Sequence, residues 1–322
     1  MILYLLALAA VIALVEYLSL RRALDGVEYD SRPGKAIAEP DETIDLVTVV
    51  TNRRRRFLPF IRLNENVPVS IETAGDVYTE SATARRGQLR STLYLMPRQR
   101  LTRRTPFRIE KRGRYLFLGA KLNGGDFLGL SENTRTVELW RELVILPKAV
   151  DAPQVAQFMG GWMGDRSVNR FNMEDPVLTL GFRDYTGHEP MKTISWTQTA
   201  RAGRLMVKCQ DYTVERTVTV LLNADTYAFD AYGDEVLDRT CSLCRGVCAY
   251  LEEQRVPYSF MTNARAAGMP DGFGQVGGGL GQAHLMTVLE ALGRADGTVF
   301  ESRVALIDRA TTVAGLGRGS ST

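Results

Sequence analysis

From Ile2 to Val15 every residue is apolar or aromatic, and after Glu16 the pattern resumes at Tyr17, Leu18 and Leu20 before Arg21 and Arg22. About 20 helical residues rising ~1.5 Å each match a hydrocarbon core of ~30 Å. Residues 1–22 are therefore expected to form a transmembrane anchor, with Glu16 near enough to its end to reach the interface. A cleavable signal peptide carries positive charge before its apolar run and a small-residue cleavage site after it, and this segment has neither. The competing expectation is a buried N-terminal helix. By the positive-inside rule, Arg21 and Arg22 place everything downstream on the cytoplasmic side.

Residues 23–42, broken at Pro33, Gly34 and Pro40, read as a polar linker. The period then becomes that of strands. Ile44, Leu46, Thr48 and Val50 alternate with their neighbours, and Phe107 and Ile109 do the same before Arg112-Gly113. Tyr115 to Leu118 runs on as a buried strand would, and Leu143 to Leu146 is closed by Pro147. Short strands separated by turns predict a small β-sandwich over 43–150.

The second half alternates instead between strand and helix. The pattern predicts a strand over Val218–Leu222, a helix over Glu235–Glu253, a strand over Val256–Met261, a Gly-rich loop and a helix over Gln282–Leu292. That order implies a parallel sheet with helices packed on it. Phe300–Ala314 reads as a further helix with no strand recognisable beside it, so the α/β domain of 213–322 is expected to lack its last strand. Residues 151–212 form the connector. The fold class expected is thus α+β and multidomain: anchor, sandwich, then α/β domain.

Composition narrows the function classes. With 45% hydrophobic and 24% charged residues the chain is globular, and a net charge of +3 is too small to indicate a nucleic-acid binder. The charge is uneven: between Arg21 and Val150 there are 24 Lys and Arg against 16 Asp and Glu. Arg53 to Arg56, Arg85-Arg86, and Arg98 with Arg100, Arg103 and Arg104 form basic clusters. Runs of this kind are usually solvated faces; beside a membrane anchor they favour anionic lipid headgroups, by ~1 kcal/mol per charge. Nucleic acid is disfavoured because aromatic stacking residues are not interleaved with the clusters. Cys241, Cys244 and Cys248 share an apolar helical face with Leu237, Val247 and Leu251, so they read as core rather than as metal ligands. Gly272 to Gly281 lacks the Gly-Lys-Ser/Thr ending of a phosphate loop. With only His188 and His284, no nucleophile–base arrangement stands out, and an enzyme is not expected.

The most distinctive stretch, dense in Arg and aromatic residues, is Gly181-Phe182-Arg183-Asp184-Tyr185-Thr186-Gly187, continuing through Ile194, Trp196, Ala200 and Arg201. Rings supply rigid contact area and guanidiniums supply planar forks. The residues serve either to lock the connector against a sheet or to present a binding surface. This stretch resembles the signature of the bacterial domain-of-unknown-function family fifty-eight, Gly-x-Arg-x-Tyr-x-x-Gly-Asp followed by Arg-x-Ile-x-Trp and Ala-Arg. Gly181, Arg183, Tyr185, Ile194, Trp196, Ala200 and Arg201 match it; His188 or Glu189 stands for the Asp, and Lys192 replaces the first Arg of the second motif. Arg112-Gly113-x-Tyr115, Asp126-Phe127-Leu128-Gly129-Leu130 and the helix from Ala283 are similar to further motifs of the family.

The resemblance implies a von Willebrand factor type A-like domain and proteins encoded beside MoxR-type AAA+ ATPases, with no established enzymatic reaction. It also implies a cation site at the end of the first strand, where that fold uses Asp-x-Ser-x-Ser for an ion such as Mg²⁺. Here Asn223-Ala224-Asp225-Thr226-Tyr227 stands in its place, leaving Asn223, Asp225 and Thr226, with Thr262 from the next strand, as a degenerate set. The expected function is a bacterial plasma-membrane adaptor that binds a partner through Arg183, Tyr185, Trp196 and Arg201, the resemblance suggesting a MoxR-type AAA+ ATPase. The alternative is a metal-dependent ligand-binding receptor.

Overall fold

A computed structural model describes residues 4, 24–55, 57–73, 77–79, 86–125, 132–150, 155, 179–187, 191–210, 218–225 and 233–316. The expected anchor over 1–22 lies outside them apart from Tyr4. Among the described residues no helix is long and apolar enough to cross a membrane. The chain divides into two compact units, one of residues 1–155 with 219–322, the other of residues 156–218.

The first unit opens with ten strands: β1 (Val27–Pro33), β2 (Ile37–Ala38), β3 (Ile44–Asn52), β4 (Leu58–Pro68), β5 (Glu72–Thr73), β6 (Val77–Thr79), β7 (Arg86–Leu95), β8 (Arg100–Arg108), β9 (Gly113–Gly125) and β10 (Glu132–Ile145). One sheet has the order β1-β3-β8-β5 and the other β2-β10-β9-β4-β7-β6. All pairings are antiparallel except β2 beside β10. The period-2 pattern of β3 places Ile44, Leu46, Thr48 and Val50 inside, as the sequence predicts. Tyr115 to Leu118 differs from its expectation: only Phe117 is fully buried, and its neighbours in β9 are partly exposed.

Two aliphatic clusters fill the sandwich. One gathers Leu46, Phe107, Phe117, Leu143 and Ile145; the other gathers Val50, Ile61, Leu63, Leu95 and Leu122. A polar group is also buried in this sandwich. Glu65, 1% exposed, accepts from Tyr29 Oη (2.9 Å), Thr48 Oγ1 (2.6 Å) and Arg103 (3.1 Å), so its charge is matched inside the protein. Burial and the Glu65 charge together push the Tyr29 phenol well above its ordinary value. Arg103, read from the sequence as part of an exposed basic cluster, is thus turned inward.

The segment read as a linker is structured. Val27, Tyr29 and Ser31 alternate into the core, and Pro33 ends an edge strand, where its missing N–H costs no ladder bond. Opposite it in character is the irregularity in β10 between Glu138 and Arg141. Gly119 faces it with φ of +88°, and a Cβ there would lie 2.1 Å from the Val137 carbonyl oxygen, so this bulge requires glycine.

The second unit is described over β11 (Thr179–Asp184), a 3₁₀ turn at Met191–Thr193, α1 (Trp196–Ala202) and β12 (Met206–Gln210), with β11 and β12 antiparallel.

The rest of the first unit is a mixed α/β lobe: β13 (Val218–Leu222), α2 (Gly233–Glu253), β14 (Tyr258–Thr262), β15 (Ala264–Ala266), β16 (Val276–Gly279), α3 (Gln282–Arg294), β17 (Ala295–Val299) and α4 (Arg303–Leu316). Thr219 meets Ser259 and Ala224 meets Asn263, so β13 and β14 run the same way around the α2 crossover, as predicted. One expectation fails here. The Gly-rich loop contains β16, which pairs antiparallel with β14, so the sheet β13-β14-β16 is not parallel throughout. Ala295–Val299 is β17, which pairs with β15 in a separate ribbon outside that sheet, and its Ala-Asp-Gly-Thr-Val sequence lacks an apolar run, four of its five residues being exposed or partly so.

The lobe is clamped to one end of the sandwich by arginines. Arg112, just before β9, donates to the Leu292 (3.0 Å) and Ala295 (2.6 Å) carbonyls at the C-terminal end of α3 and pairs with Asp238 of α2 at 2.7 Å. A cation at a helix C-terminus complements the dipole and the orphan carbonyls. Arg294 and Arg114 share Glu142 at 2.5 and 2.6 Å, and Arg245 of α2 forks onto Glu39 at 2.6 and 2.9 Å. Hydrogen bonding from Arg294 foremost, then Arg114, holds the Glu142 carboxyl below its usual range, whereas burial raises that of Asp238.

Candidate functional site

The signature residues all fall in the hairpin unit. Arg183 lies in β11, and Tyr185 follows it, its backbone N–H donating to Leu205 O at 2.9 Å. Across β12, Ser195 N–H donates to Met206 O (2.8 Å) and Met206 N–H donates to Thr199 Oγ1 (3.0 Å), which pins α1 to the second edge of the strand. Trp196 opens α1, and Arg201 lies in its last turn, favourably placed for the dipole. Gly203 ends the helix with φ of +68° and its N–H on Thr199 O, and Arg204 pairs with Asp184 at 3.1 Å. Arg183 and Tyr185 are thus two strand spacings, about 10 Å, from α1.

Among the described residues of this unit the buried ones are Ile194, Ser195 and Val207. Trp196 is 62% exposed and Met191 69%, and Phe182 and Leu205 are also exposed. Arg183 and Arg201 face solvent too, and Tyr185 is half-buried. Of the two roles the sequence left open, a lock inside a core does not describe Trp196.

The degenerate cation set is assembled differently from the sequence expectation. Asn223 and Asp225 follow the end of β13 and Thr262 ends β14, while Thr226 lies outside the described residues. The organiser is Asn263, fully buried and not anticipated. Its Nδ2 donates to Asn223 Oδ1 (2.8 Å) and Glu301 O (3.2 Å), and its Oδ1 accepts from Ala224 N–H (2.8 Å). Asn223 Oδ1 also accepts from Asp225 N–H, and Thr262 Oγ1 accepts from Ala264 N–H. Asp225 reaches the first N–H of α4, at Arg303 (3.4 Å).

A guanidinium completes the arrangement. Arg309 of α4 donates to Thr262 O (3.1 Å), pairs with Glu301 at 2.6 Å and lies over the Phe300 ring. These residues do not fit Mg²⁺. The amide oxygen already accepts two protein donors, the carboxylates serve a helix terminus and Arg309, and a fixed positive charge sits at the strand end. Among the described residues no group of three His, Cys, Asp or Glu could hold a metal.

The other candidates resolve into packing. Cys241 and Cys248 are fully buried on α2 with Leu237 and Leu251, and burial pushes their thiols up to about 11 and about 12. His284 packs edge-on against Tyr258, its Nε2 2.9 Å from the Tyr258 carbonyl oxygen, while His188 lies outside the described residues.

No family model matches the chain, and no curated protein does. Among solved structures it is similar to a cohesin module of a family 33 glycoside hydrolase from Clostridium perfringens, at 10% identity over 37% of this chain and 96% of that one, with a TM-score of 0.27. The CARDB domain of a Pyrococcus furiosus protein, in complex with di-metal ions, is similar at 11% identity over 37% and 89%, with a TM-score of 0.22. AvmM, which catalyses macrocyclization in alchivemycin A biosynthesis, is similar at 13% identity over 39% and 93%, with a TM-score of 0.27. Likeness of this degree adds nothing to the architecture read from the strand pairing and carries no argument about function.

Proposed function

We propose that this protein is a membrane-tethered adaptor that holds a partner protein on its hairpin unit and performs no catalysis of its own. The observation that carries the reading is the exposure of Trp196 in the same small unit as the exposed Arg183 and Arg201. Exposed large aromatics grouped with arginines are the residue types that anchor protein interfaces. The sequence resemblance to family fifty-eight adds the von Willebrand factor type A-like assignment for the lobe and suggests a MoxR-type AAA+ ATPase as partner. The apolar run over residues 1–22 supplies the tether to a bacterial plasma membrane, the folded units facing the cytoplasm. The receptor alternative is disfavoured by Arg309, whose charge stands where a cation would bind.

The test is affinity capture of the solubilised protein from native membranes, with and without ATP and Mg²⁺, followed by mass spectrometry. An AAA+ ATPase recovered in a nucleotide-dependent way by the native protein, and lost with Trp196→Ala or Arg183→Glu in protein of unchanged circular dichroism, supports the adaptor. Capture that survives both substitutions, or that EDTA abolishes in the absence of nucleotide, sinks it.

A further inference from the structure

The two ends of the sandwich differ in chemistry. Strand β9 runs about 40 Å from Gly113, at the end that carries the α/β lobe, to Gly125 at the other. At that far end the β3–β4 loop and the β7–β8 turn are tied together. Asn52, 2% exposed, donates its backbone N–H to Gln99 O (2.8 Å) and its Nδ2 to Met96 O (3.1 Å), and Arg98 N–H donates to Arg54 O (2.8 Å). Arg53 N–H donates to Gly26 O (2.9 Å), which brings in the segment where the chain enters the sandwich through the buried Leu24.

This construction turns Arg53, Arg55, Arg98 and Arg100 outward around Phe57, Tyr94 and Met96, which are 40%, 63% and 52% exposed. The Phe57 and Tyr94 rings lie 6.5 Å apart. The sequence shows no stacking aromatics interleaved with the basic clusters, and it is folding that brings Tyr94 to Phe57 across two loops. Among the described residues the nearby acids are few: Asp25 pairs with Arg54, Glu28 with Arg53 and Glu132 with Arg62. Among those residues Arg55, Arg98 and Arg100 are left as surplus positive charge.

We propose that this basic, aromatic tip is a docking surface for an anionic lipid leaflet, seating the sandwich with its α/β lobe directed away from the membrane. The inference deepens the tethered-adaptor reading and rests on it for the presence of a membrane. Arginines gain from the negative surface potential, and Tyr, Phe and Met suit the headgroup boundary, where one end of a ring is wet and the other apolar. The apolar run of residues 2–20 ends in sequence just ahead of Leu24, which enters the sandwich at this same end. Nucleic acid is the lesser fit. The two rings are tilted 50° to each other and do not form a stacking platform.

The test uses the full chain with Met96→Cys carrying an environment-sensitive fluorophore, reconstituted in vesicles of phosphatidylcholine alone or of equal parts phosphatidylcholine and phosphatidylglycerol. Protein with native Met96 taken through the same labelling gives the background. The expected result is blue-shifted emission, quenched by spin-labelled lipid, in the anionic vesicles only and reversed by high salt. Arg55→Gln, Arg98→Gln and Arg100→Gln, all at exposed sites, should each lower tip occupancy roughly fivefold, and together on the order of a hundredfold. Equal quenching in both vesicles, indifference to the triple substitution, or tighter binding to an oligonucleotide than to the anionic vesicles overturns the proposal. Partner capture by the triple variant reads the adaptor separately. If alkaline carbonate strips the protein from vesicles, the tether fails, while flotation on the anionic vesicles still reads the tip.

Discussion

The sandwich with its lobe and the hairpin unit are built to different ends. In the sandwich, Leu46, Ile61, Leu122 and Leu143 are essentially inaccessible, and even a carboxylate, Glu65, is enclosed with its partners. In the hairpin unit Ile194 and Val207 are the hydrophobic residues buried among those described, while Trp196 and Met191 stand in solvent. A region that spends its apolar surface on its own core is a support. One that leaves large rings outside, fixed by backbone hydrogen bonds, has the character of the binding surface proposed for it.

That contrast is open to direct attack. Phe107→Ala, at a 1% exposed position packed against Phe117, should lower stability by about 3–5 kcal/mol in chemical denaturation. Arg112→Ala should cost about 3 kcal/mol, because it uncaps α3 and leaves Asp238 half-buried without its cation. If thermal melts of the Arg112 variant match the native protein, the clamp is ornamental and the lobe stands alone.

Acid should act on the same clamp. The Glu142 value lies below its usual 4.5, so its contribution is full above about 4.5 and disappears as pH falls through the lowered folded value. Asp238 has the opposite sign: its raised value means that ionisation subtracts stability as pH climbs from its usual 3.8. Glu142→Gln should therefore flatten the loss of stability between about pH 5 and pH 3, measured by denaturant midpoints, without abolishing the fold. Smallest of all should be Trp196→Ala, within about 0.5 kcal/mol of the native protein while partner capture is lost. A large loss of stability there would return Trp196 to the core. Cys241 and Cys248, with thiols raised by burial, should alkylate only in denaturant; rapid labelling of folded protein would show α2 packed otherwise.

Periodicity revealed what periodicity encodes. The inward face of β3 and the Leu237–Cys241–Cys248–Leu251 stripe of α2 were legible because each is a local repeat with one buried side. Strands β1, β16 and β17 were not, since edge position, glycine and partial exposure remove the alternation that marks a strand. The four signature residues could be named from composition, but their exposure depends on what α1 and β12 leave uncovered. Asn263 and Arg309 gave no signal, because an amide or a guanidinium becomes a hub only when segments 40 or more residues apart converge on it.

Arg112 and the α3 carbonyl it caps are 180 residues apart in the chain. During synthesis from the N-terminus, the sandwich strands emerge long before α3 does. The lobe is therefore assembled last, against a finished surface that already offers the guanidinium that α3 requires. A nascent chain halted before α3 should hold a folded sandwich with Arg112 waiting at its end, and the last third of the protein acquires its stability from the first.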